Sequence, residues 1–375
     1  MHPPAPKTIT PEPRSLLLDG IRGYASIAVL LYHTFTWLAD WLSPGTGRYL
    51  SRCIFFDGTL AVYIFFVISG SSLSIGFMRN RRPLVIAHLA IRRLPRLCIP
   101  IFFSCLAAYV LAANGLMHNA QAGDLANSPD WLGSFYRFSP SFWDMVRFSF
   151  CGVFFSYDST FSFNPALWTM QPELSGSALI FLFLLFIWIF GYKRTGYVVT
   201  AGILLALRSP LLAFLLGMLI SESIIAGADV NKSWSLLFAI AFIAISVARL
   251  AGITVSYDPA VLSLVAAALV FCIVRSGFLR PFFLSPTAKF AAQLSFPLYL
   301  VHIPLLASIS SYTFLRLAQQ DISRPLVAAA TAFLQIICSL VAAFAFLPVE
   351  EFAKRFARFL SGFVLSAAQR SEHQS

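Results

Sequence analysis

The N-terminal part of the chain contains the stretch Leu18-Asp19-Gly20-Ile21-Arg22-Gly23, and the apolar run behind it ends at Tyr32-His33. The run is long enough to predict a membrane-spanning helix. Arg22 and His33 are eleven residues apart, roughly three helical turns, so both side chains lie on one face about 16 Å apart along the axis. Asp19 precedes Arg22 by three residues and joins that face. Because charges are costly in hydrocarbon, this polar stripe indicates a functional site.

The composition of the chain predicts that the whole protein lies in a bilayer. Of its 375 residues, 58% are hydrophobic and 11% are charged, which is too little charge to cover a soluble protein of this length. We therefore expect an all-α integral membrane protein with about ten transmembrane helices. The predicted spans lie at residues 16–37, 58–78, 97–113, 165–191, 196–207, 209–226, 234–252, 259–276, 291–312 and 326–347.

The basic residues predict the orientation of these helices. An even number of spans puts both termini on one side, and a cytosolic location for them places most Lys and Arg residues inside, as the positive-inside rule requires. The net charge of +11 is then mainly a topology signal, so the expected partner is membrane lipid and not nucleic acid. We predict a disordered cytosolic tail at 1–14, the transmembrane domain at 15–350 and a basic cytosolic tail at 351–375.

The longest segment between predicted spans is 114–164, which is rich in aromatic residues and is expected on the outer side. One interpretation is an interfacial helix in the lipid headgroup belt, where aromatic side chains are common. The other is a platform for a ring-shaped acceptor such as a sugar. The two interpretations are compatible with each other. No spacing of His or Cys residues in the chain predicts a metal site.

Five short motifs, in order along residues 16–310, carry a resemblance to a known family. They are the opening stretch with Tyr32-His33, then Phe65-Phe66-Val67-Ile68-Ser69-Gly70, Arg92-Arg93-Leu94-Pro95-Arg96 with Ile99-Pro100, Leu167-Trp168-Thr169-Met170 with Glu173, and Ser295-Phe296-Pro297-Leu298-Tyr299-Leu300-Val301-His302. Each is a weak pattern alone, but their order is specific. The chain resembles the acyltransferase 3 family, integral membrane enzymes that O-acylate sugars and other hydroxyl compounds.

The resemblance implies an acyl-CoA donor, usually acetyl-CoA, and a hydroxyl of a carbohydrate or a similar envelope or secreted compound as the acceptor. The expected location is a bacterial inner membrane, and no metal is implied. Arg93 and Arg96, with Arg92, would hold the donor phosphates at the cytosolic side, because guanidinium groups suit phosphate oxygens. The alternative is that these arginines only anchor the inner ends of helices.

His33, near the outer end of the first span, is the expected general base for the acceptor hydroxyl, with a covalent acyl-histidine as a variant. Glu173 is predicted at the same depth, in contact with His33, which it would orient or stabilise when charged. Arg22, paired with Asp19, would position the donor or the developing oxyanion. The alternatives are that Asp19 only neutralises Arg22 and that Glu173 only complements the dipole of its helix.

Three further residues are candidates for substrate binding: Trp168, Tyr299 and His302. Packing beside the kink at Pro297 is the alternative for Tyr299 and His302. A different class of function also fits the intramembrane charges, namely a transporter or flippase that uses Arg22, His33 and Glu173 as an ion or proton relay. Against it, the two halves of the chain show no matching pair of interrupted helices.

Overall fold

The computed structural model describes residues 13–227, 232–250 and 258–372, and these ranges are helical without β-strands, which confirms the predicted all-α class. Ten long helices lie in the described ranges, and each overlaps one of the predicted spans. They are α1 (Pro13–Leu42), α2 (Gly58–Asn80), α3 (Pro83–Ala113), α4 (Met170–Phe190), α5 (Lys193–Ala206), α6 (Leu211–Ile225), α7 (Lys232–Leu250), α8 (Pro259–Arg275), α9 (Pro286–Leu305) and α10 (Arg324–Glu372).

Within the described ranges, five helical segments are long and apolar enough to cross a membrane, judged by length and composition. They are Gly58–Asn80, Pro83–Ala113, Pro165–Phe190, Pro286–Ala318 and Arg324–Ala367. Helices α6 and α8, and most of α7, are apolar but shorter. Helix α1 is not among the five. Ten crossings and cytosolic termini therefore stay predictions.

Helix α1 packs at very close range against α9 and against the short helix Arg280–Phe283 before it, and two glycines of the opening motif allow this approach. A Cβ on Gly20 would overlap the carbonyl oxygen of Phe283, and a Cβ on Gly23 would lie 2.6 Å from the backbone nitrogen of Ala292. Helix pairs in membranes associate through such small residues, because they let the two backbones meet. The spacing of Gly20 and Gly23 thus fixes which side of α1 faces α9.

Replacing Gly23 by valine is expected to destabilise the protein, since the added atoms meet backbone that cannot rotate away. We expect a loss of about 1–3 kcal/mol, the usual range for overpacking. The measurement is the thermal unfolding midpoint of the detergent-solubilised protein. Gly202→Val on α5 is the matched control, because a Cβ there meets nothing within 4 Å. Equal midpoints for the two variants would contradict the proposed packing.

Helix α9 is interrupted by prolines and by a π-helical turn. Pro304 lacks an N–H, so the carbonyl oxygen of Leu300, four residues earlier, has no helical donor. Ser104 Oγ of α3 and Asn164 Nδ2 each donate to this oxygen at 2.8 Å. Beyond the interruption the helix continues through the π-helical turn Leu306–Ser310 into Ser311–Ala318. The fully buried Asn164 therefore anchors the chain before α4 inside the bundle.

The aromatic segment 114–164 folds into short helical pieces rather than one continuous interfacial helix. The buried Asn119 ties two of these pieces together, because its Nδ2 donates to the carbonyl oxygens of Leu132 at 2.9 Å and Phe135 at 2.7 Å. Trp143 and Phe155 lie on the exposed side, with 75% and 69% of their surface accessible. The segment thus has a packed side and an exposed aromatic side.

Helix α10 has 49 residues and a length of about 73 Å, well beyond a hydrocarbon core of about 30 Å. It continues without a break through residue 350, where the sequence predicted a domain boundary. Arg92 Nε of α3 donates to Ser361 Oγ at 2.7 Å and ties the distal part of α10 to the bundle. Of the predicted N-terminal tail 1–14, residues 1–12 lie outside the described residues, as do 373–375 at the other end.

Candidate functional site

Helices α1, α2, α3, α4, α9 and α10 enclose a cavity of about 240 Å³. Its lining combines apolar side chains with charged groups from four helices. These charged groups are Arg22 of α1, Arg93 and Arg96 of α3, Glu173 of α4, and Glu350 and Lys354 of α10. Four cations lie opposite two anions, so the field in the cavity favours an anionic ligand. We refer to this space as the arginine cavity.

An ion pair between α3 and α4 forms one wall of the arginine cavity. Arg93 Nη2 donates to Glu173 Oε1, and both side chains are only 14% exposed. Ser69 Oγ donates to the same carboxylate oxygen at 2.5 Å, and Arg93 Nε donates to Ser177 Oγ at 2.8 Å. The carboxylate and the guanidinium therefore have both charge and hydrogen-bond partners, as buried ions require.

The predicted contact between Glu173 and His33 is wrong. Glu173 pairs with Arg93 and Ser69 instead, and it lines the arginine cavity, which His33 does not. The prediction assumed that α4 starts at the membrane surface. In the structure the chain re-enters the bundle first, is anchored at Asn164, and forms a 3₁₀ turn at Pro165–Thr169 before α4 begins. Glu173 consequently lies beside Arg93 and not beside His33.

The other charged residues predicted for the site have different surroundings. Arg96 lines the arginine cavity, is accessible, and makes no hydrogen bond or ion pair within the described part of the chain. Arg22 pairs with Asp19 at 3.0 Å, and its Nε is buried with no hydrogen-bond partner in the described ranges. Arg92 is not part of the lining and bonds Ser361 instead. Arg96 and Arg22 are thus the guanidinium groups best placed to receive an anion.

A second polar centre lies about 16 Å further along α1, at His33. His33 Nδ1 and His302 Nε2 are 3.0 Å apart, so α1 and α9 contribute one imidazole each. His302 is 99% buried, and its Nδ1 lies 3.0 Å from the carbonyl oxygen of Leu298. The sequence offered packing or substrate binding for His302, and did not predict its pairing with His33.

The hydrogen-bond chain of this pair determines where the protons are when both rings are neutral. A carbonyl oxygen only accepts hydrogen bonds, so His302 Nδ1 carries a proton and donates a hydrogen bond to the carbonyl oxygen of Leu298. His302 Nε2 is then an acceptor, and His33 Nδ1 must carry the proton that lies between the two rings. His33 Nε2 is left with a free lone pair, the arrangement a general base needs.

Two residues that the sequence did not single out hold the histidine pair in place. The indole of Trp131, in the aromatic segment, stacks on the imidazole of His33 with a 7° angle between the planes and 5.7 Å between the ring centroids. Gln335 of α10 is fully buried, and its Nε2 donates to the carbonyl oxygen of His302 at 2.9 Å. Gln335 could have been found from the sequence, because a glutamine is unusual in the apolar span 326–347. Trp131 could not, because it is one of many aromatic residues in its segment.

Tyr299 and Trp168 lie in different places. Tyr299 lines the arginine cavity, its hydroxyl is 2.6 Å from Thr169 Oγ1, and it also donates to the carbonyl oxygen of Ala166. These bonds fasten the 3₁₀ turn before α4 to α9. Trp168, on the same turn, is 43% exposed and lies outside the lining of the cavity. The structure therefore brings Tyr299 to the site and leaves Trp168 at the surface.

Comparison with known proteins agrees with this architecture. A family model described as an acyltransferase domain, that of acyltransferase 3, matches residues 16–346, which include the histidine pair and the lining of the arginine cavity except Glu350 and Lys354. No curated protein and no solved structure matches the chain. The match covers nearly the whole chain, and the helices are apolar. The chain therefore belongs to the acyltransferase 3 family, and it is an integral membrane acyltransferase.

Proposed function

We propose that the protein transfers an acyl group, in the first instance acetyl, from cytosolic acyl-CoA to a hydroxyl of a carbohydrate or similar envelope compound. The observation that carries the proposal is the pair His33 and His302, whose hydrogen bonds leave His33 Nε2 free as a base. The proposal is also supported by the cationic cavity three turns away on the same helix, where the donor would bind.

The arginine cavity suits the phosphate end of the donor. Arg96 and Arg22 have donor groups for which the described residues provide no acceptor, and guanidinium groups bind phosphate oxygens in a bidentate manner. With about 240 Å³ the cavity is smaller than a pocket for a whole drug-sized ligand, so it would hold only part of the donor. The pantetheine arm would then extend along the polar stripe of α1 and bring the thioester toward His33.

The proposed reaction is a single transfer. His33 Nε2 takes the proton of the acceptor hydroxyl while the hydroxyl oxygen attacks the thioester carbonyl carbon, forming the C–O bond. His302 Nε2 accepts the hydrogen bond from His33 Nδ1 and stabilises the imidazolium that forms. The C–S bond then breaks, and the leaving thiolate of CoA recovers the proton from His33. The products are the O-acyl ester and CoA. An acyl-histidine formed at the same nitrogen is the two-step variant.

The aromatic segment is the proposed acceptor side of the site. Trp131 lies against the ring of His33, so a sugar that reaches the base must pass or displace this indole. Aromatic faces are suitable surfaces for the apolar faces of sugar rings, and Phe135 lies edge-on to Trp131 with 5.3 Å between the ring centroids. This placement supports the acceptor interpretation of segment 114–164 and a carbohydrate as the acceptor.

Incubation of the purified protein with labelled acetyl-CoA and a panel of carbohydrates tests the proposal. We expect label on an acceptor, as an ester that alkali removes, with one CoA released per ester formed. Arg96→Ala should raise KM for the donor roughly tenfold with a smaller effect on kcat, since it removes a ground-state contact. Proteoliposomes that move protons or substrate across the membrane without forming an ester would favour the transporter instead.

A further inference from the structure

Helix α10 contributes an acid and a base to the arginine cavity, one helical turn apart. Glu350 Oε1 lies 2.9 Å from Lys354 Nζ, and the carboxylate side chain is only 13% exposed. The second oxygen of this carboxylate, Oε2, is buried and has no hydrogen-bond partner among the residues that the structure describes. Lys354 Nζ also contacts Glu351 Oε1 at 2.9 Å, but Glu351 is 51% exposed and does not line the cavity.

The two acids of the arginine cavity differ in what they do to its field. Glu173 is in direct contact with Arg93 and is satisfied by it and by Ser69. Glu350 makes no such guanidinium contact among the described residues, and it lines the same cavity as Arg96. Glu350 is therefore the carboxylate that partly neutralises the cations that Glu173 does not pair with. Its Oε2 is a hydrogen-bond acceptor without a donor among the described residues.

A carboxylate and a phosphate use the same donors, since both are anions with oxygen acceptors that match ammonium and guanidinium groups. A carboxylate held beside the cations of an anion site thus competes with the ligand for them. If the ion pair between Lys354 and Glu350 breaks, Lys354 still has an ion pair with Glu351. The lysine can consequently turn toward an incoming anion at small cost.

We infer that Glu350 is a counter-anion of the donor site. Before a ligand binds, its carboxylate pairs with Lys354 and partly neutralises the charge of Arg96. A phosphate group of the ligand then replaces the carboxylate as the partner of both cations. Lys354 is then a phosphate-binding residue in addition to the arginines. The identification of that phosphate as part of acyl-CoA rests on the proposed function. The counter-anion role rests only on the cavity and its charges.

Isothermal titration of the full chain in a phosphate-free sugar detergent tests this inference, with CoA and inorganic pyrophosphate as probes. Glu350→Gln keeps the shape of the side chain and removes its charge, so both probes should bind roughly three- to tenfold more tightly at low salt, with a smaller gain at high salt. Lys354→Ala should weaken both probes by a similar factor.

Glu351→Gln is the matched control, because Glu351 contacts the same lysine from outside the cavity, and we expect its affinities to stay within twofold of the wild type. An unchanged or weaker affinity of Glu350→Gln for both probes, in a protein with a normal unfolding midpoint, would overturn the inference. An equal gain in Glu351→Gln would overturn it as well. If pyrophosphate responds as expected and CoA does not bind, the counter-anion stands and the acyl-CoA donor is wrong.

Discussion

Alanine in place of His33 is expected to lower the rate of acyl transfer by about 10²- to 10⁴-fold, the usual contribution of a positioned general base. The physical reason is that His33 Nε2 is the one nitrogen of the histidine pair that its hydrogen bonds leave free to take a proton. Donor binding should change less than twofold, since His33 does not line the arginine cavity. The measurements are kcat with labelled acetyl-CoA and the Kd of CoA.

A variant of His302 tests whether this residue acts on the base His33 or only packs between the helices. His302→Ala removes the acceptor for His33 Nδ1, so we expect a smaller loss of kcat than in His33→Ala and a displaced pH–rate profile, which simple loosening of the helix would not cause. His118→Ala is the matched control, because its ring contacts Tyr312 and not the pair. Near-normal turnover in a folded His33→Ala protein would remove His33 from the mechanism.

Removal of the Glu173 carboxylate should produce the largest change in stability. Glu173→Ala leaves the Arg93 guanidinium, 14% exposed, without its counter-charge, and breaking a buried pair on one side costs about 3–5 kcal/mol. We expect a clear fall in the unfolding midpoint of the solubilised protein. The double variant Arg93→Met with Glu173→Leu should recover much of this loss, because replacing a buried pair by apolar residues of similar size is often neutral.

The same pair of variants tests whether the ion pair has a role beyond stability. The double variant regains packing but loses a cation of the arginine cavity, so its KM for the donor should stay high while its unfolding midpoint returns. Glu351→Gln, an exposed acid on α10, serves as the control for a simple change of charge. A Glu173→Ala protein as stable as the wild type would show that the pair is dispensable for folding.

The features that depend on a single helix, such as which residues share one of its faces, could be predicted from the sequence. The eleven-residue spacing of Arg22 and His33 determines that they share a face, because the helical repeat is the same in every context. The placement of Arg93 and Arg96 together follows from the same rule, and both line one cavity. The all-α class likewise follows from composition, since helices satisfy their own backbone groups in lipid.

Contacts between helices were beyond such reasoning, as Glu173 and His302 illustrate. The depth of Glu173 depends on how far the chain re-enters before α4, which is determined by the bond of Asn164 to a carbonyl oxygen that Pro304 leaves free on α9. The pairing of His302 with His33 depends on the rotation of α9 against α1. Neither quantity has a local signal, because each results from packing between segments far apart in the chain.

The distance between Arg22 and His33 is constant, because α1 is held against α9 by its glycines. Both residues belong to one uninterrupted helix, so no motion of the bundle can lengthen or shorten the gap between them. Helix α9, by contrast, has prolines and a π-helical turn at which it can bend. A bend there would carry His302 away from His33 and break the hydrogen bond between the two rings, while the distance that the donor must bridge along α1 would stay constant.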